Sequence, residues 1–282
     1  MKILREELRN LPAPEALLFD LDGTLYRGNE PIPGAGQLIT KLQLRGVPCL
    51  FVTNNSTRTT REVAEHLHVM GIPAEERMIV TSALAAAYYV QVNYPGVRTF
   101  VIGEHGLRMA LLDQGIPLIE DDNSDEIAGL VVQGLDRELT YARMNVALNH
   151  LLNGATFVQT NPDRLLPVDE GFLLGAGSIG AALQAASSRE PIIIGKPSSI
   201  MMNYTLELAG TPAERAWVIG DNPYTDLAAA EQVGCPSILV LTGLCTMDNW
   251  QEHCQAAGVE PYAVCEGPEQ LAALLDEWYR KS

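Results

Sequence analysis

The sequence predicts an α/β fold: a mostly parallel core sheet with a second, smaller α/β unit inserted into it. Three observations carry that expectation. Short runs rich in Val, Ile, Leu and Phe recur along the chain between polar turns, the pattern of strands buried on both faces. Stretches with helical periodicity separate these runs, so the strands are joined by crossover helices and run parallel. Four of the runs end in chemically distinctive polar loops, and none of those loops falls in the middle third of the chain.

Taken in order, Ala16–Phe19 is the first strand, followed by "DLDGT" (Asp20–Thr24). Pro48–Val52 is the second, followed by "TNNST" (Thr53–Thr57). Thr57–Met70 then reads as a helix, with Val63, Leu67 and Met70 on one face. Met78–Val80, Thr99–Ile102, Ile127–Val132 and Thr156–Gln159 are further strands. A helix over Thr140–Asn153 carries Tyr141, Met144, Leu148 and Leu151 on one stripe. Pro191–Ile194 leads into "GKP" (Gly195–Pro197), Ala216–Ile219 into "GDNPYTD" (Gly220–Asp226), and Ser237–Leu241 is the last strand. Near the C-terminus Leu271, Leu274 and Trp278 align on a final helix.

Open parallel sheets bind ligands outside the carboxyl ends of their strands. The four loops are therefore expected to converge on one edge of one sheet. From about Ala83 to Leu174 the chain supplies three more strand-helix units and the acidic stretch "EDDNSDE" (Glu120–Glu126), which reads as a solvated loop. The expected division is residues 1–82 for the first part of the core, 83–174 for the insertion and 175–282 for the rest of the core.

Composition narrows the function. Hydrophobic residues make up 47% and charged residues 19% of 282, a balance that excludes disorder. A formal net charge of −16 argues against nucleic acid and anionic membrane surfaces as partners, but not against a phosphorylated small molecule. Cys49, Cys235, Cys245, Cys254 and Cys265 form no CxxC pair, which argues against a zinc site and fits a reducing cytoplasm. The stretch "MKILREELRNLP" lacks the apolar centre of a signal peptide, and no apolar run reaches about 18 residues. The expected location is cytoplasmic.

Asp20 and Asp22 stand one residue apart, on the same side of an extended chain, and two like charges so placed call for a cation or a proton. Singly, each loop also reads as ordinary structure: a capped turn at Asp20–Asp22, a helix cap at Thr53–Asn54, a surface Lys196, and caps at Asp221 and Asp226 for a helix beginning near Thr225. Together they supply what phosphoryl transfer to a carboxylate needs. Asp20 is the candidate nucleophile and Asp22 the acid and base. Asp20, Asp221 and Asp22 (through its main chain) are candidate ligands for Mg²⁺, a cation that prefers oxygen. Thr53 offers a hydroxyl, the amide at Asn54 opens a helix whose positive end favours an anion, and Lys196 gives a point charge.

In order and context these loops resemble the four motifs of the haloacid dehalogenase superfamily. "DLDGT" is similar to the first, "FVTNN" to the second at Thr53, "GKP" to the third at Lys196, and "GDNPYTD" to the fourth at Asp221 and Asp226. The resemblance implies a Rossmann-like core, with Asn54 and Asn55 joining Thr53 and Lys196 around the substrate phosphate, and Asn222 and Asp226 supporting the metal ligands. Only 28 residues separate Thr24 from Thr53, so the cap lies between the second and third motifs. Its end, "QTNPDRLLPVDEGFLLGAGSIGAAL", resembles the type IIA branch with its C2-type cap. That branch includes sugar-phosphate, p-nitrophenyl phosphate, phosphoglycolate and pyridoxal phosphate phosphatases. By resemblance Asp163, Arg164 and Leu165–Leu166 face the leaving group, and a homodimer forms through the cap. The expected function is a Mg²⁺-dependent phosphatase of small phosphate monoesters working through a phospho-aspartate at Asp20. The alternatives are a specialised phosphoglycolate or pyridoxal phosphate phosphatase and a non-catalytic metal- or phosphometabolite-binding protein.

Overall fold

A computed structural model describes residues 3–4, 11–119, 126–168 and 171–280. The acidic loop expected over Glu120–Glu126 lies outside the described residues except for Glu126, which pairs with Arg98. The strands, in chain order, are β1 (Ile3–Leu4), β2 (Ala16–Phe19), β3 (Tyr26–Arg27), β4 (Glu30–Pro31), β5 (Cys49–Thr53), β6 (Ile79–Thr81), β7 (Thr99–Ile102) and β8 (Leu130–Gln133). They continue with β9 (Thr156–Gln159), β10 (Leu165–Val168), β11 (Gly171–Leu174), β12 (Ile192–Ile193), β13 (Ala216–Gly220), β14 (Ser237–Val240) and β15 (Ala263–Cys265). The chain divides into two compact units.

The first unit comprises Met1–Thr53, Val63–Val80 and Lys196–Ser282. Its sheet runs β1-β15-β14-β13-β2-β5-β6, with β1 as an antiparallel edge strand. β2 lies at the centre because every one of its residues is buried and apolar: Leu18 pairs in parallel with Val218 of β13 and with Leu50 of β5. Asp20, Thr53 and Asp221 therefore leave adjacent parallel strands at the same carboxyl edge. Phe19, Phe51 and Trp217 are fully enclosed in the core, and Trp217 meets Trp278 edge to face at 5.7 Å. Helix Pro268–Tyr279 buries Leu271, Leu274, Leu275 and Trp278, the face expected from their spacing. Its Asp276 forms ion pairs with Lys41 of helix Ala35–Leu44 and with Arg45, which caps that helix.

The second unit comprises Asn54–Glu62 and Thr81–Gly195. A four-stranded parallel sheet, β12-β9-β8-β7, forms its centre. Phe100, Val131 and Phe157 pack there against Ala147 and Leu151 of helix Tyr141–Leu152 and Leu183 of helix Ala176–Ser187. The antiparallel hairpin β10–β11 stands apart from that sheet. No helix among the described residues is long and apolar enough to cross a membrane. All five cysteines are buried and none forms a disulfide.

Three expectations need correction. The strand before "GKP" does not join the core sheet: Ile192 and Ile193 pair with Val158 and Gln159, so three of the four loops leave the core sheet and the fourth leaves the inserted one. For the same reason the insertion returns at Gly195–Lys196 and not near Gly175–Gly177, since Leu183 and β12 complete the core and sheet of the second unit. Finally, the helix after β5 spans Thr60–Val69, so the Asn54 amide does not open it. An Asn55 turn comes first, with Asn55 Oδ1 accepting from the Thr57 amide at 2.8 Å. The helix then starts at a reciprocal cap between Thr59 and Glu62.

Candidate active site

The first unit assembles its polar centre from the ends of three neighbouring strands and one returning loop. β2 stops at Phe19, where the Asp20 amide donates to the Ile219 carbonyl at 2.8 Å. The chain then tightens into a turn on the Leu21 carbonyl, which accepts from the amides of Thr24 and Leu25. Gly23 makes that turn possible, with φ +87° and no room for a side chain: a Cβ there would lie 2.6 Å from Asp221 Oδ2. Because the strand has ended, the period-two argument for Asp20 and Asp22 does not hold. Asp22 is exposed and its carboxylate accepts from the Gly28 and Gly23 amides, while the like-charged neighbours of Asp20 are Asp226 and Asp221.

Lys196 is the hub. Its Nζ donates to Asp20 Oδ1 at 2.5 Å, Asp226 Oδ1 at 2.7 Å and the Val52 carbonyl at 3.0 Å, and the residue is only 3% exposed. Burial works against its charge, but Asp20 and Asp226 outweigh burial and hold the ammonium above its ordinary range. One lysine cannot neutralise three carboxylates. Asp20 is pushed well above the usual carboxylate range by burial and by Asp226 and Asp221, against the opposing pull of Lys196. Asp221 is pushed up to about 7, by burial first and Asp226 second. Although Asp22 is exposed as a residue, desolvation of its carboxyl group against the surrounding turn raises it, with the turn amides and His66 opposing.

Oxygens of Asp20, Asp221 and Asp226 lie within 4.8 Å of one another. This donor set is all oxygen, carries excess negative charge, and contains no His or Cys; it fits a hard divalent cation. Asp226 thus stands among the candidate ligating oxygens and not behind them, whereas the Asp22 side chain is absent from the cluster. Asp226 is aimed by a single π-type turn, Pro223–Leu227, that Asn222 caps: Asn222 Oδ1 accepts from the Tyr224 amide at 2.9 Å, and the Asn222 amide donates to Asp226 Oδ2 at 3.1 Å.

Sequence reasoning missed the loop after β14. The Leu244 amide donates to Asp221 Oδ2 at 2.6 Å, Thr242 Oγ1 donates to the Gly23 carbonyl at 2.6 Å, and Arg27 Nε donates to the Thr242 carbonyl at 2.5 Å. Gly243 lies so close to Asp221 that a Cβ would overlap its carboxylate. The rule that pointed to the other loops, applied to the strand at Ser237–Leu241, would have reached "TGL". Thr24 was missed as well; its hydroxyl lies 3.4 Å from Asp20 Oδ2 and 3.5 Å from Asp221 Oδ1.

The remaining candidates sit in the second unit, apart from Thr53, which is buried at the end of β5. Asn54 Nδ2 donates to Asp163 Oδ2 at 2.9 Å, Asn55 serves its local turn, and Arg164 is exposed.

A family model described as haloacid dehalogenase-like hydrolase matches residues 17–117, and a HAD-hydrolase-like model matches residues 193–269. An acid sugar phosphatase of Staphylococcus epidermidis is 40% identical over 237 residues, covering 84% of this chain and 90% of that protein. The crystal structure of a hypothetical protein from Pyrococcus horikoshii OT3 superposes with a TM-score of 0.85 at 39% identity, over 93% of this chain and 98% of that one. A p-nitrophenyl phosphatase from Archaeoglobus fulgidus superposes with a TM-score of 0.87 at 31% identity, over 93% and 100% of the two chains.

Proposed function

The chain belongs to the haloacid dehalogenase-like hydrolases, and from that premise we propose a Mg²⁺-dependent phosphatase of small phosphate monoesters, of the sugar-phosphate and p-nitrophenyl phosphate kind. The observation that carries the reading is the Lys196 hub, which ties the candidate nucleophile Asp20 to the acidic cluster through two short bonds.

Asp20 attacks phosphorus, forming an acyl phosphate as the ester P–O bond breaks. Lys196 fixes one carboxylate oxygen for that attack and compensates charge on the phosphate. Asp22, whose carboxyl is held above the ordinary carboxylate range by desolvation, is the group placed to give a proton to the leaving alkoxide. In the second step it takes a proton from water, whose oxygen attacks phosphorus and releases Asp20 and inorganic phosphate. A Mg²⁺ held by Asp20, Asp221 and the main chain at Asp22, with Asp226 alongside, supplies charge neutralisation for phosphate oxygens. Thr53 donates its hydroxyl to the phosphate.

Phosphate release from a panel of sugar phosphates, phosphoglycolate, pyridoxal phosphate and p-nitrophenyl phosphate, with and without Mg²⁺, tests the reading. Turnover is expected only with the metal, and none with Asp20→Asn. Turnover by a clean Asp20→Asn preparation would exclude the covalent route. Two finer readings accompany the proposal. A cytoplasmic location is supported by five buried cysteines that form no disulfide. A homodimer through the inserted unit is supported by the exposed Leu165, Phe172, Leu173 and Leu174 of the β10–β11 hairpin, and sedimentation tests it.

A further inference from the structure

We propose that Asp163 is a positioning residue, fixing Asn54 and with it the peptide directly after Thr53, and that it does not meet the leaving group itself. The proposal rests on the phosphatase reading for its kinetic consequences but not for its geometry.

Asp163 Oδ2 collects two side-chain amides, Asn54 Nδ2 at 2.9 Å and Asn161 Nδ2 at 2.6 Å. Two donors converging on one oxygen suit an ionised carboxylate, an acceptor-only group whose hydrogen bonds are stronger than those of neutral groups. Asn161 is itself locked: its Oδ1 accepts from Thr160 Oγ1 at 2.8 Å and its carbonyl from Gln159 Nε2 at 2.8 Å, all three residues being buried. Asn54 is held at its other end too, because its carbonyl accepts from Ser82 Oγ at 2.7 Å. The bare Cα of Gly195, the residue before Lys196, completes the nest, since a Cβ there would lie 2.6 Å from Asn54 Oδ1.

The backbone that carries Asp163 is anchored with equal care. Its carbonyl accepts from the Gly177 amide at 2.8 Å, and the Arg164 carbonyl accepts from the Gly175 amide at 2.8 Å and Ser178 Oγ at 2.7 Å. Side chains at Gly175 or Gly177 would overlap the backbone of Pro162 and Asp163. "GAGS" therefore serves as a seat for the "NPDR" turn. A carboxylate pinned in its backbone and bonded twice through one oxygen acts through its partners.

The experiment compares full-length wild type with Asp163→Ala, Asp163→Asn, Asn54→Ala and the double variant Asp163→Ala/Asn54→Ala. p-Nitrophenyl phosphate and a sugar phosphate provide two unlike leaving groups. Asp163→Ala is expected to lower kcat roughly 10- to 100-fold on both, as a displaced reacting group does, with little change in KM. Asp163→Asn, whose amide oxygen still accepts, should recover most of the loss. Asn54→Ala should match Asp163→Ala, and the double variant should be no slower than either. A loss confined to KM or to one substrate, or additive losses in the double variant, would overturn the proposal. The Asn54 side-chain amide resonances, assigned by their absence in Asn54→Ala, give a readout without substrate. They should shift in Asp163→Ala and, if that variant does not fold, in Asp163→Asn. Resonances left unmoved would overturn the proposal, whereas a wild type that releases no phosphate would overturn only the phosphatase reading.

Discussion

Lys196 shares its ammonium between Asp20 and Asp226 with almost no access to water, so each partner depends on the other two. Removing one member of a buried ion network strands the rest without compensation, at a cost of about 3–5 kcal/mol. Lys196→Met is therefore expected to abolish phosphate release and to lower the free energy of unfolding by an amount of that order, which urea unfolding measures. Asp221 makes a prediction with a definite sign. Its pKa rises from the ordinary 3.8 to about 7 on folding, so the folded state binds the extra proton between those values. Without metal, stability should fall as pH rises through that window. Mg²⁺ binds the deprotonated carboxylate, so the melting temperature gained on adding Mg²⁺ should be larger at pH 7.5 than at pH 5. An equal gain at both would contradict a metal site built on Asp221.

At the scale of elements, the loop after β14 acts as the back wall of the site. Gly243→Ala would drive a methyl group into the Asp221 carboxylate, while Gly258→Ala, at a surface turn with open space, changes no contact of the site. The first should weaken Mg²⁺ binding at least tenfold by calorimetry, as losing well-placed support for a metal ligand does, and the second should not. The elements also mark what the sequence could disclose. β2, β7 and β9 have the expected bounds because unbroken apolar runs between polar turns leave little choice. Ile192–Ile193 was readable as a strand, but its sheet was not, since two isoleucines match either unit and only pairing with Val158 and Gln159 decides. The Lys196, Asp221 and Asp226 cluster was legible because each residue follows a recognisable loop. The Thr242–Leu244 wall was not, because it acts largely through a main-chain amide, a carbonyl and the absence of a side chain, which leave only a faint mark in composition. The exposed hairpin β10–β11 was missed for a related reason: with its Leu165–Leu174 face uncovered, it lacks the alternation that betrays a half-buried strand.

The whole molecule carries a net charge of −16 yet is read as taking a dianionic substrate. At long range the protein repels its own ligand, and only the local arrangement of Lys196 and the metal reverses the sign. Raising the ionic strength from about 0.01 to about 0.15 M shortens the screening length from about 30 to about 8 Å. The expected result is a rise in kcat/KM with added salt and little change in kcat. A fall would show that the substrate meets a positive field well outside the acidic cluster.

The pairing of β2 with β13 joins Ala16–Phe19 to Ala216–Ile219, about two hundred positions downstream, while every strand of the inserted sheet lies between Thr99 and Ile193. On a ribosome adding roughly 5–20 residues per second, the first central strand waits some 10–40 seconds for its neighbour. Through that interval β2 can pair only with β5, leaving an apolar edge open to unwanted partners in a crowded cell. The inserted sheet, by contrast, has all of its strands before the missing one is made. The order of synthesis thus makes the insertion the first finished piece of the nascent chain, and makes the core that performs the chemistry the last.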